Sequence, residues 1–399
     1  MELAVTENKV NKKRLSLSLY LNYLIHGFGI IILAQNIVSL SSMWSVPIKT
    51  VSFVISGIGI GRLLAYLITG ALSDVLNRKL FVFIGMFCYL VFAIGMISTR
   101  SIPVAYGLAI LAGIANSALD VGTYTTLVEM NDGKGYDTIL IKGFMSIGEF
   151  ILPLIVASLS SNGLWFGWSF IIMAALIVVN MINMVSVKFP NVKSGAKQTK
   201  TQGTQKHFHM VRALKTIILL AYGYVSMALM IWFTQWITLF AQKSLNFGNL
   251  AAHTLMSLYS TGSIIGVIVL FILLKRNVNE LKLLVSLNLL AVLSLLLIVV
   301  AGQNLVIANV ASLVFGFSAA SGVMQTGLTV FMNMFPEHLG MITGIYYFFG
   351  SVASFTVPLI TGVLSANSIS LAFSTDLVIG VIAVVLMAAL VALQRVKED

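Results

Sequence analysis

Four side chains carry the chemistry that this sequence could do: His26, Arg62, Asp120 and Glu149. Each stands inside a run of apolar residues rather than at its edge. At about 1.5 Å of rise per helical residue, Arg62 lies roughly 18 Å from Asp74, the first carboxylate beyond its run. His26 is equally far from Arg14. Asp120 precedes Glu129, and Glu149 follows the start of its own run, by distances that place both roughly 14–15 Å deep. All four therefore share one level. A guanidinium keeps its proton and must find an anion, so Asp120 or Glu149 is its expected partner at rest. A carboxyl group beside a cation in a dry site sits between two protonation states, and small rearrangements load or release a proton. That is the requirement for coupling a proton to another event. The same groups also read as a permanent ion pair between helices, with His26 as a hydrogen-bonded structural histidine.

What must position these groups follows from composition. Hydrophobic residues make up 58% of 399 positions and charged residues 9%. A soluble domain carries about 25% charged residues to cover its surface, so this chain is read as a membrane protein. The net charge of +11 does not imply nucleic acid, because the basic residues fall between apolar stretches instead of clustering on one face. One cysteine, Cys88, excludes an internal disulfide. The polar start of the chain leads into a long apolar run without a small-residue cleavage site, which suggests a retained first helix. The histidines lack metal-ligand spacing, there is no phosphate-binding Gly-rich loop, and no nucleophile has a base beside it. Neither an enzyme nor a cofactor or metal is expected.

A spanning helix needs about 20 apolar residues. Twelve stretches qualify: 17–40, 51–72, 79–98, 103–128, 139–160, 164–187, 215–240, 250–274, 281–301, 305–332, 339–363 and 370–393. With the N-terminus inside, twenty of the 24 Lys and Arg fall on the cytoplasmic side. Lys49, Arg100 and Lys243 fall outside, and Arg62 lies within a span. This bias predicts cytoplasmic termini in a multi-pass protein of a bacterial plasma membrane. A basic, Gly/Gln/Thr-rich linker at 188–215 divides a six-helix half, 1–187, from a second, 216–399. The halves echo each other. Gly113-Ile114-Ala115-Asn116-Ser117-Ala118 parallels Gly316-Phe317-Ser318-Ala319-Ala320-Ser321, and Pro153-Leu154-Ile155 parallels Pro358-Leu359-Ile360. Paired six-helix halves are a common design of alternating-access transporters.

Between the second and third spans the chain reads Gly70-Ala71-Leu72-Ser73-Asp74-Val75-Leu76-Asn77-Arg78-Lys79. This resembles the signature loop of the major facilitator superfamily, keeping Gly70, Asp74, Arg78 and Lys79. Val75 stands where the family usually has a basic residue, and Asn77 where it usually has Gly. The resemblance implies an all-α fold of twelve transmembrane helices, a monomer in the lipid bilayer, and a loop that latches the halves in the outward-facing state. It also implies a small-molecule substrate, with protons as its partner at Asp120, Glu149 and His26. Substrate contacts are expected from Arg62 and from polar or aromatic residues of the cavity-lining helices. These are Asn116 and Tyr124 in helix 4, Trp232 and Gln235 in helix 7, Gln325 in helix 10 and Tyr346 in helix 11. The Trp residues of helix 7 also fit an interfacial belt. The functional expectation is proton-coupled symport of an organic acid or sugar. A drug/proton antiporter is the alternative, disfavoured because residues 143–153 lack the Gly-Pro signature of such exporters. A non-transporting membrane sensor is a third reading, for which no signalling domain is visible.

Overall fold

The computed structural model describes residues 11–72, 77–130, 136–189, 210–276, 278–335 and 339–394. Among them the fold is helical throughout. The first half holds α1 (Lys12–Gln35), α2 (Ile37–Trp44), α3 (Ile48–Leu72), α4 (Arg78–Ser98), α5 (Ile102–Met130), α6 (Tyr136–Ser161) and α7 (Trp168–Val185). The second holds α8 (Met210–Lys243), α9 (Asn249–Lys275), α10 (Glu280–Ala301), α11 (Leu305–Ala319), α12 (Val323–Met334), α13 (Leu339–Asn367), α14 (Ile369–Ser374) and α15 (Asp376–Gln394). Twelve stretches of these helices are long and apolar enough to cross a membrane.

Asparagines start several of them. Asn11, Asn77, Asn279 and Asn304 each accept a backbone N–H of the first helical turn, of α1, α4, α10 and α11 respectively. A short amide side chain is well suited to that orphan donor. The cap explains Asn77 where the resembling loop usually has Gly: its side chain accepts the Lys79 N–H at 2.9 Å and fixes the start of α4.

Three of the expected continuous spans are broken. The first divides at Asn36, whose side-chain amide donates to Ile32 O at 2.9 Å and to Ser169 Oγ at 3.2 Å, tying α1 to α7. The tenth divides between α11 and α12, where Gly322 takes φ 107°, a conformation glycine adopts without strain. The carbonyl freed at Ala320 accepts from Ser263 Oγ at 3.0 Å, as an irregular backbone inside a membrane requires. The twelfth divides at Thr375. α8 runs from Met210, so it starts within the stretch 188–215 expected as a linker. Arg212 anchors that extra turn by donating to Met334 O at 2.7 Å and lying 4.5 Å over the Phe335 ring. Residues 190–209 lie outside the described residues.

Alternation of the spans puts the beginnings of α1, α4, α6 and α8 on one face, with Lys12, Arg14, Lys79 and Arg212. This is the basic face of the protein. Outward-facing Ile182, Val185, Val300 and Val306 leave an apolar rim of the kind a lipid tail covers. Polar groups are buried within. In such a setting apolar surface gives no drive for helices to associate, and small residues that let backbones touch take over. Gly61 and Gly113 face each other where α3 crosses α5, and a Cβ on either would strike the other helix's backbone. Gly27 and Gly148 do the same for α1 and α6, and Gly262 and Gly316 for α9 and α11. The Gly113 and Gly316 segments, paired as repeats in the sequence, therefore do the same packing work in their own halves. The halves meet along α3 with α13 and along α6 with α9.

The Gly61–Gly113 crossing is tight enough to test. Gly113→Ala should lower the thermal midpoint of the detergent-solubilised protein, with an overpacking cost of about 1–3 kcal/mol. Gly107→Ala on the same helix, where a Cβ would meet nothing within 4 Å, should leave it unchanged. Equal midpoints for the two variants would show that the crossing has slack.

Candidate functional site

The Gly61–Gly113 contact determines where Arg62 stands. It brings the backbone of α3 against α5, and Ser117 Oγ donates across that seam to Arg62 O at 3.4 Å. One turn earlier Gly59 lies so close to α13 that a Cβ would collide with the backbone of Ser354 and Phe355. Arg62 consequently reaches into the second half. Its Nη1 donates to Ser354 Oγ at 3.2 Å, while its Nε is buried without a partner. In place of the ion pair expected from the sequence, the guanidinium meets a neutral hydroxyl.

Asp120 is held instead by two tyrosines. Tyr23 of α1 donates to Oδ1 at 2.5 Å and Tyr66 of α3 donates to Oδ2 at 2.8 Å. Three helices of the first half thus converge on one carboxyl group. Beside it Tyr89 Oη donates to Asn116 Oδ1 at 3.0 Å and lies 3.1 Å from His26 Nδ1. A phenol has a single proton to give, so the His26 Nδ1–H is the donor in the second contact. His26, Asn116 and Asp120 therefore belong to one polar cluster with Arg62 nearby on α3. Arg62, Tyr66 and Asp120 each keep part of their surface accessible.

Glu149 stands apart from this cluster. It is buried on α6 next to the Gly27–Gly148 crossing, and its Oε2 has no hydrogen-bond partner. Tyr124 lies on α5 one turn beyond Asp120, and its side chain is outside the described residues. Gln235 bridges the halves by donating to Ser52 Oγ at 2.7 Å. Trp232 stays within its own half: its buried indole N–H donates to Ala372 O. Tyr346 is fully buried behind Tyr347, in an apolar cluster with Phe331. Gln325 is exposed on α12. Neither Gln325 nor Tyr346 joins the Arg62 cluster.

Of the expected gating loop, Asp74 lies outside the described residues, as do the surroundings of Gly70. Arg78 is buried. Lys79 Nζ donates to Val185 O at 2.9 Å and Val187 O at 3.0 Å, a cation on the carbonyl end of α7.

Sequence reasoning overlooked Tyr66, Tyr89 and Ser354. Tyr66 carried a signal, since it follows Arg62 by four residues and must share its helix face. Tyr89 and Ser354 sit in runs with no charge to mark them. His253 and Thr238 were overlooked too, and with Gln35 they tie the halves at the face opposite the basic one. His253 Nδ1 lies 2.7 Å from Gln35 Oε1, an acceptor, so the ring donates; Gln35 Nε2 donates to Thr238 Oγ1 at 3.2 Å. The described hydrogen bonds between halves lie at mid-depth or toward this opposite face. Asp376, the first residue of α15, was also missed; it is fully buried and neither carboxyl oxygen has a partner.

Comparison with known proteins gives this arrangement a context. The model of the Major Facilitator Superfamily matches residues 19–358. The inner membrane transport protein YdiM of Escherichia coli (strain K12) is 37% identical over 89% of this chain and 88% of its own length. An uncharacterized MFS-type transporter, YfkL of Bacillus subtilis (strain 168), is 34% identical over 91% of this chain and 92% of its own. Among solved structures, the nucleoside transporter NupG superposes with a TM-score of 0.70 at 15% identity, covering 97% of this chain and 99% of that one. A D-xylose-proton symporter does so with 0.75 at 11%, covering 96% and 97%. These two likenesses concern the fold alone.

The Asp120 cluster has a direct stability test. Tyr23→Phe and Tyr66→Phe each remove one donor to the carboxyl group and should each cost about 1–3 kcal/mol in detergent unfolding. The double variant should fall short of the sum, because both act on one acceptor. Strict additivity would show that the two hydroxyls hold Asp120 independently.

Proposed function

Since the chain belongs to the major facilitator superfamily, and is a multi-pass membrane transporter rather than an enzyme, we propose that it carries a small organic anion together with a proton by alternating access. The observation behind this reading is the Arg62 guanidinium, which is incompletely satisfied at the meeting of the two halves. A permanent cation with a free donor is suited to a carboxylate, which it can grip with two parallel hydrogen bonds. Its present acceptor, Ser354 Oγ, is a neutral group that an anion would displace.

Asp120 is the proton carrier in this reading. Its two oxygens are addressed by Tyr23 and Tyr66, and Tyr66 shares a helix face with Arg62. Loading an anion at Arg62 and a proton at Asp120 therefore acts on adjacent turns of α3. His26 supports the same cluster through Tyr89 and Asn116. Glu149, buried with an unpartnered oxygen on the α6 wall, is a second proton acceptor on the path between the halves. The cationic Arg62 favours an acid over a neutral sugar.

In the same reading the basic face is cytoplasmic, following the Lys/Arg bias. The Gln35–His253–Thr238 and Gln235–Ser52 ties then close the outer side, and the conformation is inward-facing. The test is proteoliposomes holding a pH-sensitive dye, to which organic acids, sugars and cationic drugs are added in turn. An organic acid should drive protons inward with wild type, and Asp120→Asn should abolish that signal. Arg62→Gln should raise the apparent KM for the acid by roughly 10-fold or more, the loss of one charged hydrogen-bonded contact. Sugar-driven proton entry that survives Arg62→Gln would overturn the anion reading. Drug-driven proton efflux would favour an antiporter.

A further inference from the structure

Lys142 has no part in the site described above. It stands inside the apolar span Leu140–Ser161 of α6 and is half-buried. Among the described residues it makes no hydrogen bond or ion pair. A cation drawn into a span without an answering group is costly, and calls for a functional account.

Its direction follows from spacing. Lys142, Ser146 and Glu149 recur at i, i+4 and i+7 and so share one face of α6. On that face Ser146 Oγ lies 3.3 Å from Ser263 Oγ of α9, which belongs to the other half. One turn further along, Ser257 Oγ of α9 donates to Phe150 O at 2.9 Å. Lys142 and Glu149 are therefore turned to the seam between the halves, as Arg62 is on α3. Electrostatics agree. Arg62 and Lys142 are the two cations whose charge is felt at His26, and Lys142 is also felt at Glu149.

Depth follows from the glycine crossings. Arg62 is next to Gly61, which packs on Gly113, and Lys142 is six residues from Gly148, which packs on Gly27. The Tyr23–Asp120 hydrogen bond sets these crossings in register. Tyr23 is four residues from Gly27 and Asp120 seven from Gly113, both toward the basic face. Lys142 lies on that same side of its crossing. Its level is thus that of Asp120, roughly 9 Å nearer the basic face than Arg62. Neither carboxyl group of the seam is its lasting partner. Asp120 is held by two tyrosines, and Glu149 is two turns away, about 10 Å along the helix. The seam holds two cations in want of anions.

Resting on the anion reading of Arg62, we propose that Lys142 is a second anchor and that the substrate class is a short dicarboxylate. One carboxylate lies on Arg62 and the other on Lys142, at the entrance from the basic face. The flexible four-carbon stem of Lys142 takes up part of the step between the two levels. Recognition is divided accordingly. The planar fork of Arg62 fixes one end, while a point charge on a flexible stem accepts diacids of slightly different length.

The test compares succinate and glutarate with butyrate near neutral pH, where the diacids carry two charges and butyrate one. Heat of binding to the purified protein and proton uptake into proteoliposomes are both measured. Wild type should bind the diacids about 10-fold more tightly than butyrate, the size of one charge-assisted hydrogen bond. Lys142→Gln should bring that ratio near one. Lys142→Arg should retain it, which separates lost charge from lost folding. Equal affinities in wild type, or a diacid preference that survives Lys142→Gln, overturns the second anchor. Arg62→Gln distinguishes this failure from that of the anion reading. If it weakens butyrate while Lys142→Gln has no effect on the ratio, Arg62 stands and Lys142 has failed. If Arg62→Gln weakens none of the acids, the anion reading has failed and the dicarboxylate proposal falls with it.

Discussion

Bulk water does not reach the middle of a bilayer, so a group that cannot drop its charge has to be answered by the protein itself. Arg62 imposes that condition here, and the local architecture follows from it. Glycine at 61 and 113 draws α5 up to α3, which lets Ser117 tie the backbone beside the cation. Glycine at 59 draws in α13, which brings an acceptor from the other half. The carboxyl group nearest in chemistry, Asp120, is kept by tyrosines and so does not neutralise the cation permanently. An arginine already paired with a carboxylate would be a structural pin. This one keeps a donor in reserve.

The same physics separates what is rigid from what can move. Inside each half, opposed glycines put backbones in contact at α1–α6, α3–α5 and α9–α11, and such contacts leave no room for sliding. Between the halves, the ties toward the face opposite the basic one include single hydrogen bonds among Gln35, Thr238, His253, Gln235 and Ser52, and one from Asn249 Nδ2 to Ala157 O. A bond of that kind contributes roughly 1 kcal/mol net, so a few of them can break together within thermal reach. Nearer mid-depth the halves also meet firmly, where Gly59 of α3 packs directly on the α13 backbone, so those weak polar ties are confined to the outer part of the seam.

Much of this was legible in the sequence because the bilayer simplifies the reading. Twelve apolar stretches, the all-α fold and the family all follow from length, hydropathy and one loop. The common depth of Arg62, His26 and Asp120 followed from helical rise, and Asn116 and Asp120 were placed on one face by their spacing. The pairing was not legible. Arg62 was expected to meet a carboxylate, whereas its partner is a serine 292 positions away, brought near by a glycine that packs backbone against backbone. Hydroxyl and phenol donors such as Ser354 and Tyr89 leave no mark in a hydropathy profile. Trp232 and Tyr346 looked like ligands because aromatic residues in membrane helices do, yet both are consumed by packing. The breaks at Asn36 and Gly322 were hidden because apolar composition continues through them.

The neutral acceptor opposite Arg62 has an energetic consequence. Pulling apart a buried ion pair strands a carboxylate, at a cost of about 3–5 kcal/mol. Withdrawing Ser354 strands nothing on α13, since its hydroxyl already donates to Gly350 O within its own helix. Only the guanidinium is left wanting, and any oxygen anion arriving in the gap satisfies it better than the hydroxyl did. In the proposed transport of an anion, the serine is a placeholder: it occupies the guanidinium without becoming a competitor that cargo must evict at great expense.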